Sequence, residues 1–340
     1  MIEVIRPGLL ATVQDLGRVG HAHLGVPEAG AADRFDLRIA NRLVGNPDSA
    51  AGLEMTAEGA TLRFESDSRV ALSGGAMEAL LDGAPVPMYQ TLAVKAGSEL
   101  ACGRIFAGWR GYLAVAGGID VPALLGSRSC DTLARLGPPA LAAGMHLAIG
   151  TLPMEVSAYL RSPPEYVQSV QLRVLPGPQQ DWFTPVALVA LRSAVYRVSQ
   201  KGDRTGVRLE GQPLTRAREG ELPSMGMVSG ALQVPSSGQP IALLANHGAT
   251  GGYPVIATVI GADLPRLAQL SPGMEVRFTD VSRAEALVAL RGQEARLAQD
   301  IIPADAGLLA ARALMRLAGT HASLKQAAVS DGQRRIRIRK

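Results

Sequence analysis

The fold is decided by a stretch that reads Arg110-Gly-Tyr-Leu-Ala-Val-Ala-Gly-Gly118. Within it, the short apolar run at residues 112–116 ends at a glycine turn, which is typical of a buried β-strand. The same texture recurs at residues 69–73 and 147–149, each beside another glycine. The pattern therefore predicts a mainly β protein with a few short helices.

The β texture fills two consecutive regions of the chain. The first extends to about residue 160 and contains Asp82-Gly83, a dipeptide typical of a hairpin turn. Arg161-Ser-Pro-Pro-Glu165 predicts a linker, and the texture restarts at Val170. We predict three parts: a first β domain at 1–163, a second β domain at 164–303 and a helical, basic C-terminal extension at 304–340.

A few segments depart from the β texture. Residues 32–43 carry apolar side chains near helical spacing and are followed by Gly45-Asn46-Pro47, which is typical of a helix end. Similar patterns predict helices at 185–194, 283–297 and 306–317.

Charge and cysteine content exclude several classes of protein. Five of the 34 basic residues lie in the last seven positions, so the body of the chain is close to neutral and gives no sign of a nucleic-acid partner. Only Cys102 and Cys130 are present, which fits a reducing cytoplasm and disfavours a disulfide scaffold. We find no signal peptide and no apolar run near the roughly 18 residues of a membrane span. The sequence predicts a cytoplasmic protein that has no membrane partner.

The first segment whose side chains could take part in binding or catalysis is Gln14-Asp15-Leu-Gly17-Arg18. It offers an acceptor, donors and a fixed guanidinium fork for an oxyanion or carboxylate. The alternative is a hairpin in which Asp15 bonds turn amides and pairs with Arg18.

Two carboxylates follow in the first domain. Asp33 either serves a site or caps the helix predicted at 32–43, and the capping role is favoured. Glu54 has apolar neighbours, so burial would raise its pKa and suit a general base. A buried Glu54 paired with an arginine such as Arg110 is equally compatible with the sequence.

The densest candidate segment lies in the second domain. It combines charged and hydrogen-bonding side chains with a Thr-Gly-Gly run whose backbone amides can approach an anion closely. Its candidate residues are Asp203, Arg204, Gln233, His247, Thr250, Gly251, Gly252 and Tyr253. The alternative for the end of this segment is a glycine hairpin with a surface histidine.

A metal site is not expected. His21 and His23 would share one face of a strand, but no further ligand is evident in the sequence. Cys130 lies outside any nucleophile-elbow pattern and is expected to pack rather than react.

Taken together, long strings of this sequence resemble the C subunit of 5-oxoprolinase, a KipA-like family also known as allophanate hydrolase subunit 2. The family is related to the carboxyltransferase domain of urea carboxylase. The matching strings include RPGLLATVQDLGRVG from Arg6, RGYLAVAGGIDVPALLGSRS from Arg110, GDRTGVRLEG from Gly202 and TGGYPVIATVIGADLPRLAQL from Thr250.

The resemblance implies two cyclophilin-like β-barrel domains and two partners, a KipI-like B subunit plus a LamB/YcsF-type A subunit. It implies ATP-dependent opening of the small amide 5-oxo-L-proline to L-glutamate by the complex. Asp15, Arg18, Glu54 and His247 would be catalytic, and the other candidates named above, with Arg110, would bind substrate or nucleotide. Two alternatives stay open: a biotin-dependent carboxyltransferase component acting on urea or a related amide, and a regulator that binds a KipI-like kinase inhibitor.

The sequence departs from the family pattern at three places. Ala76 stands where a carboxylate is usual, and Gly137-Pro138-Pro139 lacks the usual arginine. Residues 246–250 read Asn-His-Gly-Ala-Thr instead of Asp-Arg-Gln-Thr-Thr. These changes bear on the substrate more than on the fold.

Overall fold

The computed structural model describes residues 1–151, 155–220, 222–305, 307–309, 311–312 and 315. Strands dominate this part of the chain, and its α-helices are short apart from one of 17 residues. The prediction of a mainly β protein is confirmed. Within these residues no helix is long and apolar enough to cross a lipid bilayer.

The first unit is a nine-stranded sheet. Its strands are β1 (Ile2–Arg6), β2 (Leu10–Gln14), β3 (Gly52–Thr56), β4 (Thr61–Phe64), β5 (Ser68–Leu81), β6 (Ala84–Pro85), β7 (Thr91–Val94), β8 (Glu99–Val115) and β9 (His146–Leu147). The long strand β8 pairs antiparallel with β3, β4 and β5 and contains the apolar run that begins at Tyr112. The stretch that predicted the fold is therefore the centre of this sheet.

Local sequence signals in the first unit correspond to observed elements. Asp82 and Gly83, at φ 51° and 79°, form the predicted tight turn between β5 and β6. The helix predicted at 32–43 is α1 (Arg34–Leu43), and Asp33 caps it by accepting a hydrogen bond from the Asp36 amide at 3.0 Å.

The second unit is a closed seven-stranded barrel. In barrel order its strands are β11 (Ser169–Pro176), β18 (Val255–Val259), β15 (Ala231–Gln233), β16 (Ile241–Leu243), β13 (Gly206–Glu210), β12 (Tyr196–Val198) and β19 (Glu275–Asp280). A parallel pairing of β11 with β19 closes it. The nine-stranded sheet of the first unit forms a half-barrel. Together with the closed barrel of the second unit, it agrees with the two barrel-type domains that the resemblance implies.

Several short strands and helices of the second unit lie outside the barrel sheet. The strands β14 (Met225–Gly226) and β17 (Thr250–Gly251) pair as a separate ribbon. The helices are α2 (Pro185–Ser193), close to the predicted 185–194, and α3 (Leu264–Ala268).

The last helix leads the chain back to the first unit. α4 (Arg283–Gln299) covers the predicted helix at 283–297, and its Glu294 forms an ion pair with Arg38 of α1 at 2.6 Å. The following strand β20 (Ile301–Pro303) pairs with β10 (Ala158–Leu160). Residues of the predicted domain 164–303 thus contact the first unit, while most of the predicted extension at 304–340 lies outside the described residues. Of the helix predicted at 306–317, residues 307–309, 311–312 and 315 are described, and these are helical.

Two glycines allow two loops of the first unit to pack with their backbones in direct contact. Gly17 has φ 92°, and a Cβ built on it would lie 2.7 Å from the Glu28 carbonyl oxygen. Gly30 has φ 86°, and a Cβ there would lie 2.8 Å from the Gly17 nitrogen. Only glycine satisfies both the conformation and the contact, so these loops are fixed relative to each other.

We expect Gly17→Ala to lower the free energy of unfolding by about 3 kcal/mol, from positive-φ strain of about 1–2 kcal/mol plus the backbone clash. Gly20→Ala is the matched control, because Gly20 has φ 96° but no atom within 4 Å of a built Cβ. Urea unfolding of both variants measures the difference. Equal losses would show that the loops do not need this close contact.

Candidate functional site

Glu54 is the centre of a buried charge network between the two units. Strand β3 places it opposite Tyr112 of β8, whose hydroxyl donates to Oε2 at 2.8 Å. The backbone amide of Ala32 donates to the same oxygen at 2.8 Å. Arg204 of the barrel forms a close ion pair with Oε1, and the Arg110 Nε lies 3.6 Å from that oxygen. Both units therefore supply partners to one carboxylate.

Arg204 makes further contacts across the boundary between the units. Its Nη2 donates to the Gly30 carbonyl at 2.6 Å and to the Asn246 Oδ1 at 3.2 Å. Burial lowers the pKa of Arg204 to about 10, so the guanidinium is still charged at neutral pH. The positive charge of Arg204 is thus taken up by Glu54 and by backbone and side-chain carbonyls.

Gln269, which follows α3, makes a second connection between the units. Its Oε1 accepts the Trp109 and Arg110 amides, each at 2.9 Å, and its Nε2 donates to the Asp33 Oδ2 at 3.0 Å. Arg110 in turn donates to the Ala268 carbonyl, and burial lowers its pKa. Sequence reasoning missed Gln269; only its place in a string shared with the family hinted at a role.

These contacts match the alternative in which a buried Glu54 pairs with an arginine, but the main partner is not the expected Arg110. Glu54 pairs closely with Arg204, whereas Arg110 is the more distant of the two arginines. Because Glu54 is 1% exposed and all of these partners bind its carboxylate, the network joins the units rather than presenting a free base.

Asp36 forms a separate buried cluster with two tyrosines. Tyr166 donates to its Oδ2 at 2.9 Å, and Tyr89 lies 3.1 Å from its Oδ1. The single Tyr89 hydroxyl proton is better used by the Gly74 carbonyl, at 2.8 Å, which can only accept. The same hydroxyl donates to the Asp36 Oδ1 over the longer distance, and a proton held by Asp36 would relieve this competition between two acceptors.

The electrostatic environment of Asp36 supports that protonation state. Burial, followed by repulsion from the Asp33 carboxyl, raises the pKa of Asp36 well above its ordinary value, against the opposing hydrogen bonds of the tyrosines. Asp36 therefore keeps its proton to a higher pH than an exposed aspartate does.

Asp15 organises the loop that follows β2. Its Oδ1 accepts from the Gly17 amide at 2.8 Å and from the hydroxyls of Ser127 and Ser129 at 2.6 and 2.5 Å. Its Oδ2 accepts the Arg128 amide at 2.6 Å. Burial alone would raise the pKa of Asp15, but these hydrogen bonds hold it below its ordinary value. Asp15 therefore anchors residues 127–129 as a carboxylate.

Arg18 is buried without a carboxylate partner in the described part of the chain. It is 1% exposed, and its Nη2 donates to the Ser129 carbonyl. The pairing with Asp15 considered above is not formed. Among these residues its Nε and Nη1 have no hydrogen-bond partner. A buried guanidinium with two free donors is costly unless it serves a ligand, an ion or water.

Two of the other buried polar atoms that lack a partner among the described residues lie near the segment that Arg18 contacts; the rest are spread over the chain. Gln14 donates to the Cys130 carbonyl at 2.9 Å, yet its Oε1 has no partner among the described atoms. The same holds for the Asp131 Oδ2. Free donors and free acceptors thus collect around residues 129–131.

Asn246 connects this region to the Glu54 network. Its Nδ2 lies 3.3 Å from the Asp131 Oδ1 and 3.4 Å from the Thr132 hydroxyl, while its Oδ1 accepts from Arg204. Asn246 is one of the departures from the family pattern. An amide suits this place because it can accept from an arginine and donate to a carboxylate at the same time.

A cleft of about 350 Å³ opens between the units, and we call it the inter-domain cleft. Val26, Pro27 and Ala32 line one side, and Met227 and Leu244 of the barrel line the other. The Ala32 that lines it also donates its amide to Glu54, so the cleft lies next to the charge network.

His247 lines the inter-domain cleft and is 7% exposed. Its Nδ1 lies 2.8 Å from the Gly248 carbonyl, which can only accept. The Nδ1 therefore carries a proton, and in the neutral ring Nε2 is left as an acceptor. His247 is therefore not the surface histidine of the glycine-hairpin alternative.

The remaining predicted site residues form no hydrogen bond to the charge network within the described residues, although Asp203 is close enough to act electrostatically on Arg110. Gln233 is buried, and its Nε2 donates to the Met227 sulfur at 3.3 Å. Thr250 and Gly251 form β17, next to Gly252 and to Tyr253, which is 49% exposed. Asp203 is exposed and accepts the amides of its own turn, including that of residue 205 at 2.7 Å.

Metal ligation and cysteine chemistry find no support here. In the ranges that the structure describes, no three His, Cys, Asp or Glu side chains come together to hold a metal ion. Burial raises the pKa of Cys130 to about 11, which disfavours a reactive thiolate.

Comparison with known proteins shows which family the sequence resembles. The model of the carboxyltransferase domain, subdomain A and B, matches residues 24–280. The chain is 40% identical over 297 residues to the 5-oxoprolinase C subunit of Escherichia coli (strain K12), and the match covers 86% of this chain and 96% of that protein. The Haemophilus influenzae 5-oxoprolinase C subunit is 34% identical, with 88% and 97% covered.

A solved structure shows the same fold in a larger protein. The K. lactis urea amidolyase superposes with a TM-score of 0.83 at 29% identity. The match covers 87% of this chain but only 20% of that one.

We expect Arg204→Met or Glu54→Gln each to lower the free energy of unfolding by about 3–5 kcal/mol, because each leaves buried charge uncompensated. The double variant should lose less than the sum of the two. Arg197→Met is the control, since the exposed Arg197–Glu275 pair should contribute no more than about 1 kcal/mol. Additive losses in urea unfolding would show that Glu54 and Arg204 are not coupled.

We expect Asp36→Asn to be at least as stable as the parent at pH 7. The raised pKa means that the folded state holds a proton that the unfolded state releases above its ordinary pKa of 3.8. Parental stability therefore falls as pH rises from there towards the folded pKa, and the variant lacks this loss. Stability measured from pH 4 to 8 should show the difference growing in favour of the variant.

The control for this test is Asp263→Asn. Asp263 is fully buried and forms an ion pair with Arg173 at 2.6 Å. Its substitution should cost about 1.5–3 kcal/mol at neutral pH. An equal loss for Asp36→Asn would contradict a raised pKa of Asp36.

Proposed function

The chain belongs to the carboxyltransferase-domain family, subdomain A and B, that includes the 5-oxoprolinase C subunit, and we propose that it is the C subunit of an ATP-dependent 5-oxoprolinase. In this proposal a KipI-like B subunit together with a LamB/YcsF-type A subunit completes the enzyme in the cytoplasm. The complex would open 5-oxo-L-proline to L-glutamate. The match to the Escherichia coli 5-oxoprolinase C subunit, which covers 96% of that protein, supports this proposal.

The chemistry requires donors for negative charge. A lactam carbon is a poor electrophile, and phosphorylation of its oxygen by ATP would make it open to attack by water. Phosphate and carboxylate groups then need guanidinium and backbone donors. The observation that carries the proposal is Arg18, a buried guanidinium with two donors that bind nothing in the described residues.

The other candidate residues take roles that follow from their contacts. His247 has an acceptor nitrogen at the inter-domain cleft and suits proton transfer. Arg204 is occupied by Glu54, so we assign both to positioning the Gly30 loop and Asn246. Asp15 also has a positioning role, because it fixes residues 127–129 around Arg18.

The rim of the barrel offers additional binding groups. The backbone amides at Gly251 and Gly252 and the hydroxyl of Thr250 can approach an anionic ligand, and Tyr253 is exposed beside them. The side-chain amide of Gln233 donates to a methionine sulfur. Sulfur is a weak acceptor, so a ligand carbonyl could take its place.

A second candidate function is transfer of a carboxyl group from biotin carried by another protein to urea or a related amide. The match to the K. lactis urea amidolyase, with a TM-score of 0.83, favours it. Regulation of a KipI-like kinase inhibitor is a third candidate. Ala76 and Pro138, which replace the usual polar residues, favour that one.

The deciding experiment is glutamate release from 5-oxo-L-proline by the co-expressed A, B and C subunits, with ATP or each subunit omitted in turn. Activity that needs every component supports the proposal. A well-formed complex that releases no glutamate overturns it, and the same complex is then assayed for carboxyl transfer from carboxybiotin to urea.

We expect Arg18→Ala to lower kcat/KM of the complex about a hundredfold, which is the typical effect of removing a donor to transition-state charge. Arg277→Ala, at an exposed barrel position, is the control and should leave the rate unchanged. Co-purification with the A and B subunits, with an unchanged melting temperature, shows that the variant is assembled. A normal rate in assembled Arg18→Ala would remove Arg18 from the site.

A further inference from the structure

A second, larger cleft lies where residues 162–167 meet α1, α3 and α4. Its volume is about 540 Å³, and we call it the linker cleft. Clefts of about 300–1,000 Å³ between domains are typical sites for small molecules. The function proposed above assigns it no role.

The walls of the linker cleft are largely apolar. Phe35 and Ile39 of α1, Val170 of β11 and Met274 contribute side chains from both units. Tyr166 of the linker is held in place because its hydroxyl donates to the Asp36 Oδ2 at 2.9 Å. The cleft therefore offers a preformed surface for a flat apolar group.

Two arginines line this cleft without forming an ion pair in the described part of the chain. Arg266 and Arg296 are exposed and line it, and among the residues described neither forms an ion pair. Glu165 and Asp300 also line the cleft, yet neither arginine pairs with them. The Arg296 guanidinium lies 5.9 Å from the centre of the Phe35 ring, which places a cation beside the apolar wall.

The two carboxyl groups of the buried floor are already engaged by the protein. Asp36 accepts from Tyr166 and Tyr89, and burial together with the nearby Asp33 carboxyl raises its pKa. Asp33 accepts from Gln269 and from the Asp36 amide. Recognition of an anion at this cleft is left to the two arginines, opposite Glu165 and Asp300, and to the apolar walls.

We propose that the linker cleft binds an organic anion in which a phosphate or carboxylate is joined to a flat apolar body. The anionic group would contact Arg266 and Arg296, and the body would lie against Phe35 and Met274. This proposal does not depend on the reaction assigned to the complex. Phe35, Pro265 and Gln293 line both clefts, so a ligand here would touch residues that also line the inter-domain cleft.

The test measures binding of two anionic probes, adenosine monophosphate and 2-naphthoate, to the full chain by calorimetry and saturation-transfer NMR. Adenosine and 2-naphthamide are their uncharged counterparts. We expect at least one anion to bind, and its uncharged counterpart to bind at least tenfold more weakly. Binding should also weaken with added salt.

Variants locate the bound probe. Arg266→Gln with Arg296→Gln should weaken binding at least tenfold, and Ser162→Trp, which fills the cleft from the linker, should abolish it. Arg208→Gln with Arg277→Gln removes the same charge from exposed barrel positions and should change nothing.

The two probes distinguish the sources of such a ligand, since tighter binding of the monophosphate indicates a nucleotide and tighter binding of the naphthoate an aromatic acid. Absence of binding by both at millimolar concentration overturns the proposal. Equal binding to the parent and to the Arg266, Arg296 and Ser162 variants also overturns it. Neither result bears on glutamate release by the complex.

Discussion

The buried ion pair between Glu54 and Arg204 is the interaction on which the arrangement of the two units depends. Charges are costly to bury, and this pair is compensated only when the β3 carboxylate and the barrel guanidinium meet. The meeting also fixes Gly30, Ala32 and Asn246, because each bonds to one member of the pair. A displacement of one unit would therefore leave several buried polar groups without partners.

A polar path leads from this pair to Arg18. Asn246 connects Arg204 with Asp131, and the adjacent backbone of residues 129–130 accepts from Arg18 and Gln14. Along that path Arg204 is paired with a carboxylate, whereas Arg18 has no carboxylate partner and keeps two donor atoms free among the described residues. The contrast separates groups that position the site from the group best placed to bind an anion.

The two clefts adjoin at Phe35, Pro265 and Gln293, and they differ in chemistry. The inter-domain cleft presents a histidine next to the buried charge network. The linker cleft presents two arginines that form no ion pair among the described residues, together with apolar walls above Asp36. Because α1, α3 and α4 line both clefts, they are the elements through which a ligand in one cleft would affect the other.

The sequence by itself determined the local elements and the family. Apolar runs bounded by glycine predicted the strands, Asp82-Gly83 the hairpin and Asp33 the helix cap, since these signals act over a few neighbouring residues. Only the tertiary structure decided that Glu54 pairs mainly with Arg204, which is 150 positions away, and that Gln269 bridges the units. It also decided that α4 returns to the first unit. Partners so distant in sequence are set by the packing of whole domains, and no local pattern encodes that packing.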